Sequence, residues 1–234
     1  MDIEKKVFLN VDFCFYHVER SGGTSIRRAL FRFFSKIYDR KEIFYPEKLG
    51  NRNLTKRDYD ELQKKNIVDF KKIKVILSHI EVKFFEINSK QSLINLRNPI
   101  DRAFSHYYHF RFPKSNLKIE ELSKEEFFEI FNYLGKTLCL RSLPSELSSL
   151  NNEEETCKYI EGKFNNIIRF DFINKDYNRL IRKLSDFYGI NFKENLNKFN
   201  ETKNYSVDLK VKKKLEKFNL LDSRLYNLFM LRFK

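Results

Sequence analysis

Residues 13–30, FCFYHVERSGGTSIRRAL, decide how the rest of the chain is read. The apolar run FCFYHV is expected to form a short buried strand that includes His17. SGGTS is a small-residue turn, and Ile26, Leu30, Phe33 and Ile37 then fall at helical spacing. A strand, a glycine turn and a helix start make a β–α unit. Such a turn presents successive backbone N–H groups at the positive end of the helix dipole, and paired glycines let the main chain approach an oxyanion. The expected ligand is therefore a phosphate or sulfate, although the turn taken alone fits an ordinary β–α connection equally well. An ATP site is disfavoured: nothing after Gly22 and Gly23 supplies the glycine–lysine pair of GxxxxGK[ST].

A second stretch, SLINLRNPIDRAFSHYYHF (92–110), repeats the strand-to-helix pattern with a different polar inventory. SLINL reads as the strand, Asn98 as a helix N-cap and Pro99 as the first helical residue, with Ile100, Ala103, Phe104 and Tyr107 on one apolar face. Arg97 then stands at the carboxyl end of a strand and Ser105 about two turns into the helix.

Together the two stretches resemble the sulfotransferases that use 3′-phosphoadenosine 5′-phosphosulfate (PAPS). The first is similar to their 5′-phosphosulfate loop, PKTGGTS, and the second to their 3′-phosphate motif, RDPxxRxxS. The Golgi-type carbohydrate branch that includes heparan sulfate 2-O-sulfotransferase, with its bacterial relatives, matches best. NYLGKTL (132–138) resembles that branch's NYQTR segment, IIRFDFINKDYNRLIRKLSDFYGI (167–190) its strand and helix, and LLDSRLYNLF (220–229) its LDxxLYxxA ending. The resemblance runs from about Phe13 onward. Three positions depart from it: Arg20 stands for the loop lysine, Glu19 for the preceding proline, and Asn98 for the usual aspartate. Arginine keeps the positive charge but is planar and longer, so it meets a leaving group differently.

The resemblance implies an α/β, P-loop-like three-layer fold with a central parallel sheet flanked by helices. It also implies PAPS as donor and a hydroxyl acceptor, a saccharide if the branch is right. Arg20 would stabilise the bridging oxygen, with the amides and hydroxyls of Ser21, Gly22, Gly23, Thr24 and Ser25 on the 5′-phosphosulfate. Arg97 and Ser105 would clamp the 3′-phosphate. Thr202 and Lys203 resemble, more loosely, a late loop that closes over the nucleotide, and fit a solvated loop as well.

Composition sets the outer bounds. At 234 residues the chain suits one domain, 1–234, able to bury about 70–75% of its unfolded surface. Lys and Arg number 46 against 32 Asp and Glu, a net +14 that favours anionic partners: nucleotides, acidic glycans or nucleic acid. No specific nucleic-acid partner is expected. Cys14, Cys139 and Cys157 are far apart and lack metal spacing, as expected of reduced thiols. No His/Cys/Asp cluster suggests a metal, and no run approaches the roughly 20 residues of a membrane span. Golgi members carry a membrane anchor, and its absence here leads us to expect a cytoplasmic bacterial or viral enzyme, or an excised domain.

The remaining segments fill in the alternation. Residues 38–53, with Pro46 and Gly50, read as a loop, and Thr55 caps an expected helix over 56–65. IKVILSHI (73–80) reads as the second core strand with His79 at its carboxyl end. Open α/β sheets bind ligands outside the carboxyl ends of their strands, so Arg20, His79 and Arg97 are expected to face one crevice. Ser123 and Glu126 form a capping box before a helix ending near Asn132–Gly135. NIIRFDF (166–172) reads as a strand, and Tyr177, Leu180, Ile181, Leu184 and Phe187 as one face of a helix closed by Gly189. NETKNYS (200–206) is a polar connection. It precedes one basic amphipathic stretch whose core face holds Val211, Leu215, Phe218, Leu225 and Leu228, with Lys212–Lys214 on its solvated side.

Sulfuryl transfer needs a base for the acceptor hydroxyl, a cation for the leaving oxygen and a grip on both ends of the nucleotide. His79 is the expected base: an imidazole of ordinary pKa near 6.5 is half deprotonated close to neutrality, and the family has a catalytic histidine in the corresponding segment. A histidine that merely caps a strand is the plainer alternative. Three rival functions remain at this point: a nucleotide kinase or other NTPase, a non-catalytic basic module binding polyanions, and a sulfotransferase that lost turnover through Arg20.

Overall fold

In a computed structural model the described residues are 6–50, 53–82, 84–110, 118–123, 125–127, 153–193, 195–196, 209–218 and 220–232. The expected NYLGKTL helix end, Cys139 and the 200–206 connection lie outside them, as do Thr202 and Lys203. The chain divides into two compact units, Met1–Asn95 with Glu161–Phe199, and Leu96–Ile160 with Asn200–Lys234.

The first unit is built on strands β1 (Val7–Tyr16), β2 (Ile43–Phe44), β3 (Val75–Ser78), β4 (Phe85–Leu96, of which Leu96 alone falls outside this unit) and β5 (Asn166–Arg169). They form a sheet in the order β2-β3-β1-β4-β5 with all strands parallel. Its helices among the described residues are α1 (Gly23–Phe34), α2 (Lys56–Lys64) and α5 (Ile173–Tyr188). Helix α4 (Glu153–Lys163) enters the unit only with its last turn. The expected α/β architecture, a central parallel sheet flanked by helices, is the observed one.

β1 is the middle strand, with β3 on one side and β4 on the other. Chain order reverses across it, so the loop after β1 lies at the position where doubly wound sheets open a crevice. Parallel strands buried on both faces need continuous apolar runs, and Phe13–Tyr16, Val75–Leu77 and Leu93–Leu96 supply them, with Asn95 the one polar exception. α1 lays Ile26, Ala29, Leu30, Phe33 and Phe34 on this sheet. α5 adds Tyr177, Leu180, Ile181 and Leu184, in one cluster with Phe13, Phe15, Val75, Leu77 and Leu93.

Several expectations need correction. β1 and β4 both begin earlier than the apolar runs suggest, because their first halves alternate exposed and covered residues (Asn10, Asp12; Glu86, Ser89, Lys90) at the less covered end of the sheet. His17 lies one residue beyond β1, not within it. The 38–53 segment contains two 3-10 turns and an edge strand, β2, whose two apolar residues are too few to show a period. β5 ends at Arg169, where Phe170–Phe172 turns into a 3-10 helix instead of continuing the strand. Thr55 caps α2 by accepting from the Asp58 N–H at 3.1 Å, and Gly189 closes α5 with φ 66°, both as expected.

Beside α5 lies a buried ion pair. Asp176 accepts from Arg169 Nε at 2.8 Å, Nη2 at 2.9 Å and the Arg169 backbone N–H at 3.0 Å. This bidentate geometry ties the end of β5 to the first turn of α5.

The second unit, among its described residues, packs α3 (Pro99–Phe110) with α6 (Leu209–Phe218) and α7 (Leu220–Arg232). Ile100, Ala103, Phe104, Tyr107 and Leu215 share its core with Ile119 and Phe127. The expected single basic stretch is therefore two helices. Asn98 caps α3, its Oδ1 accepting from Ile100 N at 2.9 Å and Asp101 N at 3.4 Å. Ser123 and Glu126 close the reciprocal capping box at 3.0 and 3.1 Å. Cys14 and Cys157 are wholly buried.

Candidate functional site

The loop from His17 to Gly22 joins β1 to α1. Gly22 is the N-cap residue of α1 with a left-handed backbone, φ 76°, and Arg20 two residues earlier also has a positive φ of 60°. A non-glycine residue in that region costs about 1–2 kcal/mol. Among the described residues no side chain caps α1, and its first turn holds no acidic residue. In this it differs from α2, which has a hydroxyl cap. An uncapped first turn leaves N–H donors pointing out of the helix end, where the dipole favours an anion.

The two glycines are required for different reasons. At Gly22 the positive φ is the constraint, and a Cβ there would also come within 2.9 Å of Phe170, just after β5, and Ile173, the first residue of α5. At Gly23 the constraint is room: a Cβ would lie 1.8 Å from His17 Cδ2 and 2.0 Å from Nε2. The His17 ring thus rests on the first residue of α1.

His17 also meets His79. Their rings stack with centroids 4.0 Å apart at 22°, and Phe15 stacks on the His17 ring at 5.5 Å. His79 Nδ1 is 2.7 Å from the backbone oxygen of His17. A carbonyl oxygen only accepts, so Nδ1 carries the proton, and in the neutral ring Nε2 holds the lone pair. The backbone around His79 is pinned as well: Leu54 N–H donates to His79 O at 3.0 Å and to Ser78 Oγ at 3.1 Å. His79 directly follows β3, at the strand end expected of it.

From the other side Asn95 of β4 holds the loop, accepting from Val18 N–H at 2.8 Å and donating to Val18 O at 3.3 Å and Ser21 O at 2.8 Å. Ser21 is wholly buried, its hydroxyl turned toward the Glu19 carbonyl at 3.5 Å. Arg20 and Thr24 are half-buried, and Ser25 is buried. Farther along α1, Arg27 and Arg28 pair with Glu47 at 3.1 and 3.2 Å. Burial works against the Glu47 charge, but hydrogen bonds from Tyr45, Arg28 and Arg27 outweigh it and hold the carboxyl below its ordinary value. Cys14, in β1 below the loop, is wholly buried, and that burial pushes its thiol pKa up.

The first unit therefore brings together Arg20, Ser21, Gly22, Gly23, Thr24, Ser25 and His79. Arg97 and Ser105 belong to the second unit, Arg97 half-buried directly after β4 and Ser105 buried on α3. No group of three or more His, Cys, Asp or Glu placed to hold a metal occurs among the described residues. None of the described helices is long and apolar enough to cross a membrane.

The sequence reading set His17 aside as part of the first strand and did not single out Asn95. The signal for Asn95 was present, because an amide inside the apolar run LINL has to find buried partners. That for His17 was its two-residue offset from Phe15, which puts both rings on one side of the chain.

No protein-family model matches the chain, and no curated protein does. Among solved structures, the crystal structure of a sulfotransferase from Alicyclobacillus acidocaldarius is similar over 93% of this chain and 95% of its own, at 16% identity and a TM-score of 0.45. The crystal structure of mouse sulfotransferase SULT7A1 complexed with PAP is similar over 95% of this chain and 68% of its own, at 14% identity and a TM-score of 0.41.

Proposed function

We propose that the protein is a PAPS-dependent O-sulfotransferase, that residues 1–234 work as one such domain, and that its acceptor is a saccharide hydroxyl. One observation carries the reading: the loop that resembles PKTGGTS leads into a helix N-terminus with no side-chain cap and no acid in its first turn, within one cluster of side chains that includes His79. The residues present fit an anionic group. The first turn of α1 has no side-chain cap and no acid, and the charge of Arg20 adds to the helix end.

PAPS, when bound, supplies an activated sulfuryl group whose nucleotide leaves as an anion. Each residue then has a task. The amides of Gly22 to Ser25 hold the oxyanion, with Thr24 and Ser25 hydroxyls as further donors and the Ser21 side chain confined to packing the turn. Arg20 neutralises charge growing on the leaving oxygen, a form of electrostatic stabilisation that typically contributes about 2.7–4 kcal/mol per donor. His79 Nε2 takes the acceptor proton, because Nδ1–H is committed to the His17 carbonyl. Arg97 and Ser105 hold the 3′-phosphate, and Thr202 and Lys203 are assigned to the nucleotide on the family resemblance alone. The saccharide acceptor rests on the branch resemblance, and a cytoplasmic location on the sequence reading.

The test is calorimetric titration with 3′-phosphoadenosine 5′-phosphate (PAP), ATP and AMP, on wild type and Arg97→Ala. Selective binding of PAP, lost in the variant, is expected. Equal affinity for PAP and AMP refutes the nucleotide assignment, and full transfer by His79→Ala refutes the base.

A further inference from the structure

Asn95 sits in the most apolar part of the sheet and is wholly buried. A buried amide without partners is costly, yet this one has three, all on the loop after β1. The backbone pairing of β1 with β4 ends at Tyr16 opposite Ile94. Beyond that point the Asn95 side chain does what a strand peptide would do, taking the Val18 N–H and returning an N–H to the Val18 carbonyl. Its second Nδ2 proton goes to the Ser21 carbonyl. An extended chain would carry Val18 and Ser21 about 10 Å apart. With both carbonyls on one nitrogen the chain must double back, leaving Glu19 and Arg20 at the tip of the turn, where Arg20 takes its left-handed φ of 60°.

We infer that Asn95 is the positioning residue of the anion loop. Its amide ends the β1–β4 ladder, folds Val18–Ser21 into the turn that forces Arg20 left-handed, and so sets where α1 presents its first N–H groups. It touches backbone, not substrate. The consequence for nucleotide binding rests on the sulfotransferase reading, whereas the consequence for loop order does not.

Asn95→Asp separates the two. Aspartate keeps the size and the oxygen that accepts from Val18 N–H, but turns an oxygen toward two carbonyls that need a donor. In the folded variant, amide hydrogen exchange of residues 18–25 is expected to accelerate about tenfold or more while β3 stays protected, and PAP affinity is expected to fall about tenfold. Unchanged exchange at 18–25 in a folded Asn95→Asp protein overturns the inference. If the variant does not fold, the wild type still decides by NMR: both Asn95 side-chain amide protons exchange slowly if they hold the turn, and fast exchange overturns it. If wild type binds no PAP but loop exchange rises in the variant, the role of Asn95 stands and the nucleotide reading falls.

Discussion

Gly23→Ala tests how tightly the loop, His17 and His79 are joined. The added methyl would lie 1.8 Å from His17 Cδ2, 2.0 Å from Nε2 and 2.8 Å from Cγ. Carbon contacts normally settle near 3.5–4.0 Å, so the imidazole has to retreat by about 1.5–2 Å. It has little room to do so. Its centroid is 4.0 Å from that of His79, and His79 is itself tied at 2.7 Å to the His17 carbonyl. Overpacking of this kind costs about 1–3 kcal/mol, and the better helix propensity of alanine returns up to about 1 kcal/mol. Taking the middle of each range, the net is a loss of about 1.5 kcal/mol, or roughly 3–6 °C in thermal midpoint for a chain of this size. Gly162→Ala is the matched control. Gly162 lies in α4 with nothing within 4 Å of an added Cβ, and its midpoint should hold or rise by the same propensity effect. Transfer activity of Gly23→Ala should fall by about 10²-fold, since displacing a reacting group by an ångström costs that much. A Gly23→Ala protein that melts with wild type and keeps full activity refutes the tight His17–Gly23–His79 arrangement.

Other perturbations probe separate parts. Arg20→Gly removes the guanidinium while relieving a left-handed φ, so sulfuryl transfer should drop by about 10²-fold or more; undiminished transfer contradicts the role given to Arg20. Asp176→Ala strands the buried Arg169 guanidinium and should cost about 3–5 kcal/mol in chemical denaturation, against under 1 kcal/mol if the pair were solvated. Acid should weaken the fold through Glu47 and Asp12. At Asp12 burial is outweighed by hydrogen bonds from Lys90 and Tyr38, so both folded pKa values lie below the ordinary 4.5 and 3.8. A lowered folded value means a stabilisation complete above those ordinary values and lost as pH falls through the lowered ones. The thermal midpoint should therefore be flat above about pH 5 and fall below about pH 4, and Glu47→Gln should make that fall shallower.

How much of this was legible in the sequence follows from which forces act locally. Caps and glycine stops were readable, because Thr55, Asn98, Ser123 with Glu126 and Gly189 act within three or four residues of themselves. The core strands were readable where both faces are buried, and not in Val7–Asp12 or Phe85–Lys90, whose alternating cover lacks an apolar run. β2 escaped because two residues carry no period, and its place in the sheet comes from pairing with Val75 and Ile76, about thirty residues on. The position of His79 directly after a strand followed from the alternation of elements. Asn95 and His17 needed the fold itself, since what each does depends on partners 62 to 77 residues away.

The backbone adds an argument of its own. Among the described residues two non-glycines have positive φ, Arg20 and Asn66. Asn66 follows the C-cap residue of α2, where asparagine commonly takes the left-handed form to end a helix, and its N–H reaches back to Gln63 O at 2.9 Å. Helix capping accounts for it entirely. No such account exists for Arg20: it precedes a helix, its side chain has no special tolerance for that region, and glycine would serve the turn with less strain. The turn persists because Asn95, a buried amide in an apolar strand, grips it from both sides. Two locally unfavourable choices that compensate one another, beside a helix end left without a cap, are what a functional constraint leaves in a fold otherwise consistent with its sequence.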